Sequence, residues 1–402
     1  MEINGKRIVL GVCGGIAAYK SVELLRLLVK QGARVRVVMT QYACDFVAPL
    51  TFEALSGQKV CTSLFDNRED ASIRHIEWAR ETDAVIIAPA TANILGKLAA
   101  GIADDALSTF MLAVTAPRML CPSMNSAMYE NRAVQRNLDV LEQDGYVIVE
   151  PGTGELACGT SGVGRMPEPE IIFDRLRAML SPKDLAGKTV LVTAGPTCEA
   201  IDPVRFISNR SSGKMGYALA AAAEYRGADV VLITGPTNLA PPVNVETVAV
   251  ESAQQMADEV FARMAGADII IKVAAVADYR AKAAADRKIK KNGKGTLALT
   301  LVENIDILKE IGTRKKKKQV VVGFAAETHD LAKNARAKLA AKKADLLVAN
   351  PVAGDDTAFG ADTNQATLFY KDGAEEPLPR MRKTDLANAI LNRVLKLALK
   401  ES

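Results

Sequence analysis

The sequence predicts two α/β domains in tandem, each an open, mainly parallel sheet of the nucleotide-binding type. Three observations carry this. Strand, glycine turn, helix and strand follow one another within the first 40 residues, the signature of a βαβ unit. The same opening restarts at Lys188 after a Pro/Gly-containing stretch, Ser181–Gly187. The chain of 402 residues is long enough for two or three domains with full cores.

In order, Arg7–Cys13 reads as a buried strand, and Gly11, Gly14 and Gly15 as a turn. Ala17–Gln31 reads as a helix with Val22, Leu25 and Val29 on one face, closed by Gly32, and Ala33–Thr40 as the second strand. Asp83–Pro89, Arg118–Pro122 and Tyr146–Pro151 read as further strands between helices. The stretch 151–169 holds eight Gly or Pro residues, a composition suited to a lid. In the second half, Lys188–Ala194 is a strand, Tyr217–Gly227 an Ala-rich helix and Asp229–Thr234 a strand. Asp268–Ala274, Gln319–Phe324 and Asp345–Ala349 continue the alternation. Leu386, Ile390, Val394 and Leu397 form the apolar stripe of a packed C-terminal helix. The expected domains are residues 1–182 and 183–402.

Composition narrows function. Lys and Arg number 51 and Asp and Glu 47, a net +4, too balanced for a dedicated nucleic-acid binder. No apolar run approaches a membrane span, and the N-terminus has no signal-peptide pattern. The expectation is a cytoplasmic protein with no nucleic-acid or membrane partner. The six cysteines contain no CxxC pair, and the histidines are two, His75 and His329. A zinc cluster and a His-rich metal site are therefore disfavoured.

The first glycine turn suits a phosphate approaching backbone N–H groups at a helix N-terminus. It is not GxGxxG, and the second strand ends in Thr40-Gln41 with no ribose-binding acid. A mononucleotide phosphate therefore fits better than NAD. Pro89-Ala90-Thr91-Ala92-Asn93 follows the third strand, where small and polar residues suit a cofactor ring. In the second half, Arg205, Asn209, Ser211, Ser212, Gly213 and Lys214 converge before a helix as an anion-binding loop, without a Walker A pattern. Lys272–Tyr279 and Gly323–Thr328 end strands, Lys288–Lys291 is basic, and Lys338 and Lys342 share a helix face.

Gly14–Lys20, the PATAN segment and Lys97-x-x-x-Gly101-Ile102-Ala103-Asp104-Asp105 resemble the flavin-containing cysteine decarboxylases. His75 in Ile73–Ile76, Asn125 in Pro122–Met128 and Cys158 in Ala157–Met166 sharpen this to the phosphopantothenoylcysteine decarboxylase family. Tyr129 stands where that family usually has Trp. The second half resembles phosphopantothenate–cysteine ligase, fused behind the decarboxylase in bacteria.

The resemblance implies two Rossmann-like domains: an N-terminal flavodoxin-like flavin-cysteine decarboxylase and a C-terminal nucleotide-binding ligase, working in coenzyme A biosynthesis. It implies FMN held by Gly14, Gly15, Ile16, Thr40, Thr91 and Asn93. His75 is then the proton shuttle, Asn125 the carboxylate binder, and Cys158 the acid of the final reduction. In the ligase it implies CTP at Lys272, Val273, Ala274, Asp278, Lys288, Ile305, Asp306, Ile307, Leu308, Phe324, Lys338 and Lys342, with Mg²⁺ offsetting charge. Arg205 and Asn209 then face the acyl group of phosphopantothenate, and cysteine is the second substrate. Ile305 departs from the family's Pro. The resemblance further implies a homo-oligomer, a dodecamer built from trimeric decarboxylase and dimeric ligase contacts. Two other readings fit the sequence less well. A nicotinamide dehydrogenase lacks its ribose acid, and a non-catalytic FMN-binding regulatory subunit would not need His75, Asn125 and Cys158 together.

Overall fold

The structure is a computed structural model that describes residues 3–63, 74–155, 159, 161–290, 296–327, 329–351 and 360–400. The chain forms two compact units, Met1–Ser181 and Pro182–Ser402.

In the first unit the strands are β1 (Arg7–Val12), β2 (Arg34–Met39), β3 (Ala84–Ala90), β4 (Arg118–Pro122) and β5 (Tyr146–Ile148), and β6 (Gly152–Glu155) and β7 (Ser161–Arg165) make a separate hairpin. The helices are α1 (Ala18–Lys30), α2 (Ala43–Phe46), α3 (Pro49–Ser56), α4 (Arg74–Glu81), α5 (Ala92–Ala99), α6 (Ala106–Ala113), α7 (Ser126–Tyr129), α8 (Arg132–Gln143) and α9 (Pro169–Leu180). The sheet order is β2-β1-β3-β4-β5, all parallel. This is the flavodoxin-like order, with its topological switch between β1 and β3. β3 is buried along its whole length, as a central parallel strand covered on both faces must be. At Gly11 within β1 a Cβ would lie 2.8 Å from Leu107 Cδ1, so a larger residue would have to displace that side chain. Asp105 and Ser108 start α6 with a reciprocal capping box.

The expected face of the first helix is corrected. Ser21, Leu24, Leu25 and Leu28 are buried, whereas Val29 is 37% exposed. Both stripes satisfy the helical period; docking on the sheet and on α9 and α3 chose between them. The expected strand to Pro151 is also shorter, stopping at Ile148, and the expected lid contains a β-hairpin.

In the second unit the strands are β8 (Thr189–Ala194), β9 (Cys198–Ala200), β10 (Phe206–Ser208), β11 (Asp229–Thr234), β12 (Glu246–Ala249), β13 (Ile269–Lys272), β14 (Tyr279–Ala281), β15 (Leu301–Glu303), β16 (Val320–Glu327), β17 (Leu346–Pro351), β18 (Thr363–Tyr370) and β19 (Glu375–Arg382). The helices are α10 (Lys214–Tyr225), α11 (Ala253–Arg263), α12 (Ile307–Arg314), α13 (Leu331–Lys342) and α14 (Lys383–Lys400). The main sheet runs β12-β11-β8-β13-β16-β17-β18-β19. Its first six strands are parallel, and β18 and β19 close the edge antiparallel. The switch falls between β8 and β13. α10 begins three residues earlier than expected because Gly213, at φ +76°, caps it in the left-handed conformation. Leu386, Ile390 and Val394 of α14 are fully buried; each contributes about 1.5–3 kcal/mol by leaving water. Leu397 packs at the edge of the same core. Among the described residues no helix is long and apolar enough to cross a membrane.

Candidate functional sites

In the first unit a cavity of about 860 Å³ opens at the carboxyl ends of β1 and β3, the crevice where open α/β sheets bind ligands. Gly14, Gly15 and Ile16 after β1, Thr40 after β2, Thr91 and Asn93 after β3, and Asn125 after β4 all line it. At Gly14 a Cβ would stand 2.5 Å from the Cβ of Tyr42, so glycine is the residue that lets the two turns approach. Gly15 has more room, with Thr91 Cγ2 3.8 Å from its Cβ position. Thr91 Oγ1 accepts from Ile94 N at 3.5 Å and starts α5. Asn125 Oδ1 accepts from Ala127 N at 2.9 Å, which orients the amide at the rim.

The charges of the Lys97 motif meet at this cavity. Lys97 Nζ lies 2.7 Å from Asp104 and 2.8 Å from Asp105, and all three line the cavity. The bond to Asp104, then that to Asp105, raises the pKa of Lys97. Lys20, 7% exposed, also lines the cavity and pairs with Glu168 at 2.7 Å. Its partner is 148 residues away, so only the fold could reveal it. Tyr129 donates to Glu150 at 2.7 Å. Partial burial, then Glu150, pushes the Tyr129 hydroxyl up to about 12. Cys158 lies outside the described residues, as does the side chain of His75, whose backbone belongs to α4.

In the second unit a cavity of about 520 Å³ lies at the ends of β8 and β13. Asn209, Lys272, Val273, Ala274, Asp278, Phe324 and Lys338 line it together. Thr193 Oγ1 accepts from Val273 N and Ala274 N, each at 3.2 Å, shaping the backbone after β13. Asn209 Nδ2 donates to Ala275 O at 3.0 Å and Val276 O at 3.1 Å, joining the anion loop to that turn. Lys272 Nζ donates to Ala274 O at 2.7 Å. Burial brings its pKa down to about 8, against the opposing pull of Asp306 and Asp278. The N-terminus of α10 enters the cavity through Gly213–Gly216, and Gly216 is needed because a Cβ would meet Ala194 Cβ at 2.5 Å.

Other expected residues stand elsewhere. Asp306 caps α12 and pairs with Lys342, beside the cavity rather than in its lining. Ile307 and Leu308 are buried in the core, and Ile305 packs against it. Lys288 is exposed, and Arg205 is engaged by Asp202 at 2.6 Å; neither lines the cavity. Lys214 of the expected anion-binding loop lines it, and so do Asn350, Asn364 and Lys383, which carry no site motif in the sequence. Among the described residues no three His, Cys, Asp or Glu side chains are grouped to hold a metal.

Two α/β units, each with a crevice at its topological switch, define a two-site enzyme of the nucleotide-binding α/β class. Residues 1–181 match the flavoprotein family, and residues 185–398 match the DNA/pantothenate metabolism flavoprotein C-terminal domain. The chain is 50% identical over 400 residues to the coenzyme A biosynthesis bifunctional protein CoaBC of Bacillus subtilis (strain 168), covering 98% of both chains. It is 47% identical over 396 residues to CoaBC of Haemophilus influenzae, again 98% of both. Against CoaBC of Escherichia coli K12 the figure is 46% over 398 residues, with the same coverage. The chain belongs to this family of bifunctional coenzyme A biosynthesis proteins: an enzyme with a flavoprotein decarboxylase domain followed by a ligase domain.

Proposed function

We propose that the second unit joins phosphopantothenate to cysteine through an acyl cytidylate formed from CTP, and that the first unit then decarboxylates phosphopantothenoylcysteine with FMN. The observation that supports this is that Gly14, Thr40, Thr91, Asn93 and Asn125 line the crevice at the first switch point, and Asn209, Lys272, Asp278, Phe324 and Lys338 the one at the second. Residues 1–182 are the decarboxylase and 183–402 the ligase in this reading.

The first crevice fits a flavin mononucleotide. Its glycine turn leaves no room for a Cβ at 14, its hydroxyls and amide come from Thr40, Thr91 and Asn93, and no acid stands where a dinucleotide ribose would need one. Bound FMN would take two electrons from the substrate's thiol-bearing carbon, so that the resulting C=S group can accept the electron pair released with CO₂, and would return those two electrons to the enethiol afterwards. Asn125 holds the departing carboxylate as a neutral donor, less tightly than a guanidinium would. His75 moves a proton near neutral pH, and Cys158 delivers the proton that completes the reduced thiol product.

In the second crevice the carboxylate of phosphopantothenate attacks the α-phosphate of CTP and pyrophosphate leaves. The amine of cysteine then displaces CMP. Lys272, Lys288, Lys338 and Lys342 offset the triphosphate charge, while Asn209 orients the acyl group. Mg²⁺ would arrive on the phosphates, since such ions keep few protein ligands. The enzyme works in the cytoplasm, as a homo-oligomer with trimeric decarboxylase and dimeric ligase contacts.

The test is direct. The purified protein should be yellow and release FMN on extraction, and should form pyrophosphate from CTP only when phosphopantothenate is present. Recovery of NAD or FAD would overturn the first half, and pyrophosphate formation indifferent to phosphopantothenate the second.

A further inference from the structure

Asp202 is an acid with no place in the chemistry above, yet its side chain is wholly buried. Burying a carboxylate is costly unless its oxygens are satisfied. Here Oδ1 accepts from Val204 N and Arg205 N, each at 2.9 Å. Oδ2 accepts from Arg205 Nε at 3.0 Å, Arg205 Nη2 at 2.6 Å and Ile289 N at 3.1 Å. Four of these five donor contacts lie within one tight turn. The fifth reaches 87 residues along the chain.

That contact is to the peptide group joining Lys288 to Ile289. The opposite face of Ile289 is held as well, because Arg205 Nη2 donates to Ile289 O at 2.7 Å. Upstream, Ala285 N donates to Ile201 O at 2.9 Å. The backbone around Lys288 is thus pinned on both sides by one turn, Ile201–Arg205, while the lysine side chain stays exposed. The same turn leads through β10 to Asn209, whose amide reaches the cavity. A rigid link from the cavity wall to the lysine-bearing segment is what a flexible point charge needs if it is to meet a phosphate reproducibly.

We propose that Asp202 is a positioning residue for Lys288: Asp202 holds the N–H and Arg205 the carbonyl of Ile289, and this clamp on the backbone next to Lys288 delivers the lysine ammonium to the triphosphate during acyl-cytidylate formation. The proposal rests on the reading of Lys288 as a triphosphate contact. Arg205, on this view, acts at least in part through the clamp.

The test uses the full-length protein with Asp202→Asn, Lys288→Gln and the double variant, plus Arg205→Lys. Pyrophosphate release from CTP and phosphopantothenate is measured without cysteine, alongside hydrogen exchange of the peptide covering 282–290. Asp202→Asn should accelerate exchange in that peptide and slow pyrophosphate release by about ten- to a hundredfold. The double variant should be no slower than Lys288→Gln to within about twofold, since Asp202 works through the lysine. Arg205→Lys, which keeps the charge but loses the fork, should show a smaller effect of both kinds, and it serves should Asp202→Asn fail to fold. Multiplicative losses in the double variant would show Asp202 to be merely structural and overturn the proposal. Unchanged exchange in both Asp202→Asn and Arg205→Lys would show that no clamp exists. If Lys288→Gln alone leaves the rate untouched, the lysine's role falls, and exchange then reports separately whether the clamp is real.

Discussion

Gly164 lies directly against Met124: a Cβ at 164 would come within 2.2 Å of the Met124 carbonyl oxygen, and Met124 N donates to Gly164 O at 3.0 Å. Gly164 also sits at φ +137°, where a side chain is strained. A neighbouring glycine, Gly162, makes room in the same way for Ser126. The hairpin of β6 and β7 is therefore seated on the segment that carries Asn125, and glycine is the condition for that seat.

Gly164→Ala should accordingly lift the hairpin. The expected loss is about 1–3 kcal/mol of stability in the first unit, with decarboxylation falling more than ligation. Thermal unfolding and separate assays of the two activities check this. A variant with unchanged melting and unchanged decarboxylation would show that the hairpin does not need this contact.

Cys158 stands in the sequence between β6 and β7. Cys158→Ser should still release CO₂ while failing at the final reduction, because a serine hydroxyl is a far weaker acid than a thiol. Mass spectrometry should find the oxidised enethiol product accumulating. Equal loss of CO₂ release and of reduction would instead assign Cys158 to binding.

Lys272 gives the ligase a pH signature. Burial brings its pKa from 10.5 down to about 8. Between these values the unfolded chain holds a proton that the folded chain lacks, so this group's contribution to stability rises with pH across that window. CTP works in the opposite sense, since its phosphates favour the ammonium form. CTP binding should weaken as pH rises through about 8 and should take up a proton above it; calorimetry in buffers of different ionisation enthalpy reads both. Lys272→Met should flatten the profile. A wild-type CTP affinity constant between pH 7 and about 9.5 would sink the assignment.

Lys288→Gln and Asn209→Ala should fail at different steps. Losing one charge-assisted contact costs about 1.5–3 kcal/mol, roughly ten- to a hundredfold in rate if felt in the transition state. With cysteine omitted, Lys288→Gln should form little acyl cytidylate, whereas Asn209→Ala should form it and hold it. The reverse pattern would exchange the two roles.

Much of this was legible along the chain because it is local. Apolar strand runs, glycine turns and the restart at Lys188 set two α/β units, since a strand's burial and a turn's dihedral freedom are written within a few residues. The clustering of Gly14, Thr40, Thr91, Asn93 and Asn125 followed as well, because parallel strands bring the segments after their carboxyl ends to one edge. Tertiary structure alone decided what depends on distant partners. It buried Lys20 against Glu168, brought Asn364 of β18 and Lys383 at the start of α14 into the second unit's crevice, and turned Ile307 and Leu308 into core. It also gave Asp202 its partner 87 residues away. A charge or amide carries no mark in sequence of which remote backbone it will meet; that is fixed only when packing brings the two together and excludes the water that would otherwise have satisfied both.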